Sequence, residues 1–200
     1  LDAAHEEALT FSNHPKDATQ GERNIPFSRE LWIEREDFEE IPPPGFKRLT
    51  VGGDVRLRGA GIVRCDEAVK DAAGNIVELR CTLDPESRPG MEGANRKVKG
   101  TIHWVSAKHA IAAEIRLYDR LFTVADPDSE ADGKTYVDYL NPDSRKVVTG
   151  YVEPAAADAS PEQSFQFERS GYFVADRYDH KPGAPVFNRS VTLRDTWAGK

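Results

Sequence analysis

Four basic side chains, Lys47, Arg48, Arg56 and Arg58, fall within the twelve-residue run KRLTVGGDVRLR (47–58). Read as a strand over 54–57, this run puts Val55 and Leu57 on one face and Arg56 and Arg58 on the other, because side chains alternate with period two. One face can then pack into a core while the other offers two guanidinium forks, each able to hold a phosphate or a base edge through paired N–H donors. Gly52–Gly53 lies between the two basic pairs and can turn the chain, which would bring both pairs to one rim. The plainer reading is a solvated strand face with ordinary surface charge. A second constellation is FQFERSGYF (165–173). Phe165 and Phe167 point one way in a strand, Gln166 points the other way, and Arg169 stands at the strand end beside Gly171. Gln and Arg are the residue types that read unpaired base edges by paired hydrogen bonds, and Tyr172 or Phe173 offers a face on which a splayed base can stack. The plainer reading here is an aromatic core strand with a salt-bridged arginine.

For catalysis the sequence offers little. It contains no GxxxxGK phosphate loop, no HExxH, no GxSxG and no dense metal cluster. The five histidines, His5, His14, His103, His109 and His180, are scattered, and His103 beside Trp104 reads as a core or rim histidine held by a hydrogen bond. The two cysteines, Cys65 and Cys81, are too few for a disulfide framework and lack close metal-ligand spacing. They are expected as free thiols facing each other across a hairpin in a reducing, cytosolic compartment.

Charge narrows the partners. The 200 residues carry 27 Lys and Arg against 34 Asp and Glu, a net of −7, which argues against wholesale electrostatic binding to nucleic acid. The deficit is confined to residues 1–41, with 4 basic and 11 acidic residues, so residues 42–200 are neutral and can still present a local basic face. No apolar run approaches the roughly 20 residues that span a bilayer, and the start has no signal-peptide pattern. The chain opens at Leu1 without a Met and reads as a piece of a longer protein.

The elements that must position these residues are short strands separated by breakers. Residues 1–24 look irregular or strand-poor. A strand and a short turn are expected around Ile25, Phe27, Leu31–Ile33 and Phe38, and the Pro42–Pro43–Pro44–Gly45 run is a candidate boundary. Strands are predicted over 54–57, 61–69, 75–83, 97–105 and 114–121, with a hairpin connection at 71–74 and a turn or two of helix within 107–113. Residues 126–133 read as a loop and 154–161 as a weakly constrained surface segment. Strands over 146–152, 164–176 and 186–195 then close the chain, with Trp197 as an anchor. Many short strands with turns every 8 to 12 residues indicate an all-β barrel or sandwich.

The motifs PFSRELWIEREDF (26–38), FKRLTVGGDVRLR (46–58), KVKGTIHWVSAKHA (97–110), EIRLYDRLF (114–122), QFERSGYF (166–173) and VFNRSVTLRDTWA (186–198) occur in an order that resembles the C-terminal anticodon-binding region of the bacterial glutaminyl-tRNA synthetases, class I aminoacyl-tRNA synthetases. The resemblance covers residues 10–200. It implies two interleaved β-barrels of the ribosomal protein L25-like type, a proximal one from residues 1–41 and 118–200 and a distal one from 42–117. It implies that the anticodon loop is splayed, with Arg56 and Arg58 serving the first base and its surroundings, Lys47 and Arg48 the third base, and Gln166 and Arg169 the middle uracil.

Two departures stand out. Gly45 occupies the position of a family glutamine two residues before the Lys–Arg pair, so one contact is expected to be missing or supplied by backbone. A further family arginine for the middle base lies upstream of these residues, which leaves that pocket incomplete here. The resemblance further implies a cytoplasmic, monomeric ligase whose ATP and Mg belong to a separate catalytic domain, with the glutamine tRNA and that domain as partners and no catalytic residue, metal or cofactor in this stretch. Two alternatives share the same residues: the homologous region of a eukaryotic-type glutamyl-tRNA synthetase, and a non-catalytic β-barrel that binds protein or glycan through exposed aromatics.

Overall fold

Period-two alternation governs most of the chain, and the computed structural model, which describes residues 1–2, 4–128 and 133–193, is accordingly an all-β protein. Its contacts divide into two units, residues 1–110 and 111–200.

The first unit opens with a hairpin of β1 (Glu6–Ser12) and β2 (Glu22–Ser28), in the stretch expected to be strand-poor. Alternation is concealed there because the inward positions of β1 are Glu7, Leu9 and Phe11, and the acidic one is matched by Arg88 at 2.6 Å. β3 (Leu31–Trp32) pairs antiparallel with β8 (Val105–Ser106). β4 (Asp54–Leu57), β5 (Gly61–Lys70), β6 (Ile76–Asp84) and β7 (Thr101–Ile102) form a sheet in the order β6-β5-β4-β7, in which only β4 and β7 run parallel. The predicted single strand over 97–105 is thus two short pieces. Trp104 interrupts it, turning inward to stack edge-on against Phe27 and to donate its indole N–H to the Arg58 carbonyl at 2.9 Å.

The second unit is one five-stranded sheet in the order β10-β9-β13-β12-β11. It comprises β9 (Ile111–Tyr118), β10 (Arg145–Val152), β11 (Ser164–Phe167), β12 (Gly171–Ala175) and β13 (Val186–Val191), with β13 parallel to β9 and the rest antiparallel. The expected helix within 107–113 is a turn that closes on the Ser106 carbonyl and leads directly into β9, where Ala113 and Ile115 alternate into the core. Nor is 154–161 a loose segment: Pro154–Ala157 makes one helical turn, α1, whose Ala156 and Ala157 are buried. The predicted strand over 164–176 is a hairpin, β11 turning into β12.

All four sheets are open, so the all-β class is observed without closure into barrels among the described residues. The division at 110/111 also differs from the grouping implied by the resemblance. Ile25, Phe27 and Phe38 share one buried cluster with Leu49, Val55 and Trp104, which ties the first 41 residues to 42–110 through apolar packing. The proline run is a loop inside this unit, bracketed by a parallel bridge between Phe38 and Leu49. No described helix is long and apolar enough to cross a membrane. The expected end of the last strand and the anchoring role of Trp197 lie outside the described residues.

Candidate nucleic-acid interface

β4 has the alternation its sequence predicts: Val55 and Leu57 are buried, Arg56 is half-buried and Arg58 exposed on the opposite face. Its backbone is held by the segment before and within β7, with the Arg56 N–H donating to the Gly100 carbonyl and the Arg58 N–H to the Ile102 carbonyl, both at 3.0 Å.

Gly100 also joins the two basic pairs. A Cβ at that position would stand 1.7 Å from the Lys47 carbonyl oxygen, so the Lys47–Arg48 backbone lies directly against the residue that hydrogen-bonds Arg56. The turn at Gly52–Gly53, with Gly52 at φ +72° and the Gly53 N–H on the Thr50 carbonyl, completes the reversal. Gly45, at the position where the resemblance implies a glutamine, has φ +84° at the end of a turn closed by the Phe46 N–H on the Pro43 carbonyl. A left-handed residue there favours glycine for the backbone alone.

Arg48 and Arg56 are held by backbone and carboxylate partners. The Arg48 Nε lies 3.2 Å from Oδ1 of Asp37, whose carboxylate is almost fully buried, and its Nη1 donates to the Glu36 carbonyl at 3.0 Å. The Arg56 Nη2 donates to the Arg96 carbonyl at 2.7 Å, and Nη1 reaches the Ser87 carbonyl at 3.5 Å. Lys47 and Arg58 are exposed. Beside Arg56 opens a cavity of about 830 Å³, its far wall made by the loop between β6 and β7.

In the second unit Gln166 is exposed on β11 and stands directly opposite exposed Tyr172 on β12, while Phe165 and Phe167 pack inward on Phe187. Of the two aromatics offered by the sequence for stacking, Phe173 is buried and stacks on Phe167, leaving Tyr172 as the accessible ring. Arg169 is exposed at the hairpin tip with φ +63°, in a turn closed by the Ser170 N–H on the Phe167 carbonyl. Lys47, Arg48, Arg56 and Arg58 thus belong to one unit and Gln166 and Arg169 to the other.

Past the end of β12, Arg116 of β9 centres a structural ion network. Arg116 bonds Glu114, Asp176 and Asp179 at 2.6, 3.1 and 2.7 Å. The Asn188 amide on Asp176, with the backbone N–H groups of Asp179 and Tyr178 and the Arg116 charge, holds that carboxyl down to about 2. Cys65 and Cys81 are cross-strand partners and both free, as expected, but only Cys65 is in the core. Burial of the sulfur, with Cys65 beside it, pushes the Cys81 thiol up to about 12 even though the residue as a whole is exposed on the edge strand. No group of three or more His, Cys, Asp or Glu side chains suited to a metal is found among the described residues.

Two features of the structure have no clear signal in the residue pattern. The loop between β6 and β7, which contributes Asn95, Arg96 and Lys97 to the cavity, shows in sequence only as a Gly- and Pro-containing connection. His180 is buried and accepts the Val186 N–H on Nδ1 at 3.2 Å, stacking edge-on against Phe187. Its neighbours Lys181 and Pro182 are loop-like residues that disguise it.

Comparison with known proteins shows the family of the chain. Two family models, each described as tRNA synthetases class I (E and Q), anti-codon binding domain, match residues 1–84 and 101–176. A glutamine–tRNA ligase of Xanthomonas euvesicatoria pv. vesicatoria (strain 85-10) is 73% identical over 198 residues, 99% of this chain and 34% of the relative. One from Xylella fastidiosa (strain 9a5c) is 73% identical over 193 residues, 96% of this chain and 33% of the relative. The chain spans about a third of the length of the curated relatives it matches. Matched across both units, and carrying its basic and Gln–Arg constellations on exposed strand faces and turns, the chain belongs to the anticodon-binding domain family of the class I (E and Q) tRNA synthetases.

Proposed function

We propose that this chain is the anticodon-reading region of a glutamine–tRNA ligase, the class I enzyme that joins glutamine to its tRNA with ATP. The observation that carries the reading is 73% identity to such ligases along nearly the whole chain. The exposed or half-buried placement of the six basic and Gln–Arg residues adds to it. Bond formation belongs to a catalytic domain outside these residues, where ATP and Mg act. The partners are the anticodon loop of the glutamine tRNA and that domain, in a monomeric cytoplasmic enzyme.

On this reading the anticodon loop is unstacked and its bases are bound separately. Arg56 and Arg58 serve the first base and its surroundings, Lys47 and Arg48 the third, and Gln166 and Arg169 the middle uracil. A glutamine amide and a guanidinium suit a uracil edge, which presents two carbonyl acceptors and one N–H donor. Lysine supplies a point charge suited to a phosphate. Family membership and solvent access support these roles.

The test is titration of the protein with a glutamine-type anticodon stem-loop and with one changed only at the middle base, at two salt concentrations. The expected result is preferential binding of the matched loop that weakens with salt, and a loss of about 1–3 kcal/mol of middle-base discrimination in Arg169→Ala. Equal binding of both loops by the protein would refute the reading.

A further inference from the structure

We infer that the loop joining β6 to β7 is the second wall of a pocket for one unstacked RNA nucleotide, in which Lys97 contacts the phosphate and Arg56, besides facing the first base, holds the loop in position. This inference rests on the RNA-binding function proposed above, and it assigns roles that the basic motif alone does not.

The cavity beside Arg56 measures about 830 Å³. That falls in the range of clefts that take small ligands, roughly 300–1,000 Å³. Its lining holds three cations, Arg56, Arg96 and Lys97, and no carboxylate, in a chain with more acidic than basic residues. Half-exposed Met91 and the neighbouring Pro89 add a soft apolar surface suited to the face of a base, and Asn95 adds an amide that can both donate and accept.

The three cations are not equivalent. Arg56 sends Nη2 to the Arg96 carbonyl and Nη1 to the Ser87 carbonyl, so one guanidinium ties together the start and the end of the loop. Arg96 Nη1 is 2.7 Å from Asp84 Oδ2, a carboxylate that also caps the turn at Pro85–Ser87. Lys97 is exposed and forms no hydrogen bond or ion pair with any described residue. Its ammonium is therefore the cation at this rim with all its donors available to a ligand.

The loop itself is well determined. Ser87 Oγ accepts from the Ile62 N–H at 2.7 Å and donates to the Asp84 carbonyl at 2.6 Å. Gly93 lies so close to the Glu86 carbonyl that a Cβ would stand 2.6 Å away. Such a wall can present Lys97 in a fixed place, provided that Arg56 keeps its far end attached.

Two measurements test the two roles separately. In stem-loop titrations over a range of salt, Lys97→Ala is expected to lower the slope of log affinity against log salt by about 0.7, the value for one phosphate contact to a single strand, while Lys97→Arg keeps it. In hydrogen exchange without RNA, Arg56→Lys is expected to speed exchange at Arg88, Met91, Ala94 and Arg96, whose N–H groups close the turns of the loop, while Lys97→Ala leaves them unchanged. A wild-type slope in Lys97→Ala overturns the contact, and wild-type loop exchange in Arg56→Lys overturns the positioning role. If the wild-type chain binds no stem-loop, the RNA reading falls as a whole, and with it the role of Lys97. If it binds and Lys97→Ala is silent, only this inference falls.

Discussion

Arg48 gives the sharpest prediction because it has two jobs that a single substitution would confound. Its guanidinium faces Asp37, whose side chain is 2% exposed, while its own side chain is 35% exposed. Removing one partner of a fully buried pair costs about 3–5 kcal/mol, since the remaining charge is left desolvated. Water can reach the Arg48 side of this pair, so we halve that figure and expect about 2 kcal/mol for Arg48→Ala. With a urea dependence of about 1–2 kcal/mol per molar for a unit of this size, the midpoint should fall by roughly 1–2 M. Fluorescence is a suitable readout, since Trp104 is buried in the core of this unit. Asp37→Asn and the double substitution complete a thermodynamic cycle, and the double variant should be more stable than the sum of the single losses by at least about 1 kcal/mol. Single losses that add to within about 0.5 kcal/mol would refute the pairing. Arg48→Lys retains the charge but cannot reach Asp37 and the Glu36 carbonyl with one planar fork. It should therefore keep the salt dependence of stem-loop binding while losing stability. A stability equal to wild type would show that Arg48 faces only the ligand.

Gly100→Ala should destabilise the first unit by about 1–3 kcal/mol or more through overpacking, because its Cβ would lie 1.7 Å from the Lys47 carbonyl and backbone must move to clear it. An unchanged urea midpoint would count against the close approach. Asp176, held at about 2 against an ordinary value of 3.8, contributes stability that is present above pH 4 and is lost as pH falls through its folded value. The stability difference between wild type and Asp176→Asn should therefore narrow between pH 5 and pH 2, and a constant difference would refute the assignment. Cys81, with its thiol at about 12, should alkylate at pH 8 about a hundredfold or more slowly than a free cysteine, and react normally once urea unfolds the chain.

Much of the fold was legible from residue types. The alternation of β4, β5 and β6 and the Asp71–Gly74 turn are local signals, and each appears where period and turn chemistry place it. The failures share a cause, which is that tertiary partners decide what local pattern leaves ambiguous. β1 hides because Glu7 points inward to Arg88, and the alanines of 107–113 are small enough for either a helix or the edge of a core. The packing of Phe27 and Phe38 on Trp104 and Leu49 has no local signal either, since the partners lie far along the chain.

The candidate site was legible in its residue types but not in its division of labour. Sequence places Lys47, Arg48, Arg56 and Arg58 as four similar cations, whereas the structure gives Arg48 and Arg56 carbonyl partners and leaves Lys47 and Arg58 on the surface. The difference follows from chemistry. A guanidinium has five donors in a rigid plane, enough to bind backbone on one edge and still face a ligand with another, while an ammonium on a flexible stem cannot bridge two fixed carbonyls as well. An arginine used in this way arrives at the ligand already oriented, which lowers the ordering cost of binding. The same arrangement makes folding and recognition inseparable at Arg48 and Arg56. A loss of affinity in their alanine variants measures both, and only substitutions such as Lys97→Ala, at a side chain with no structural partner among the described residues, isolate the contact with RNA.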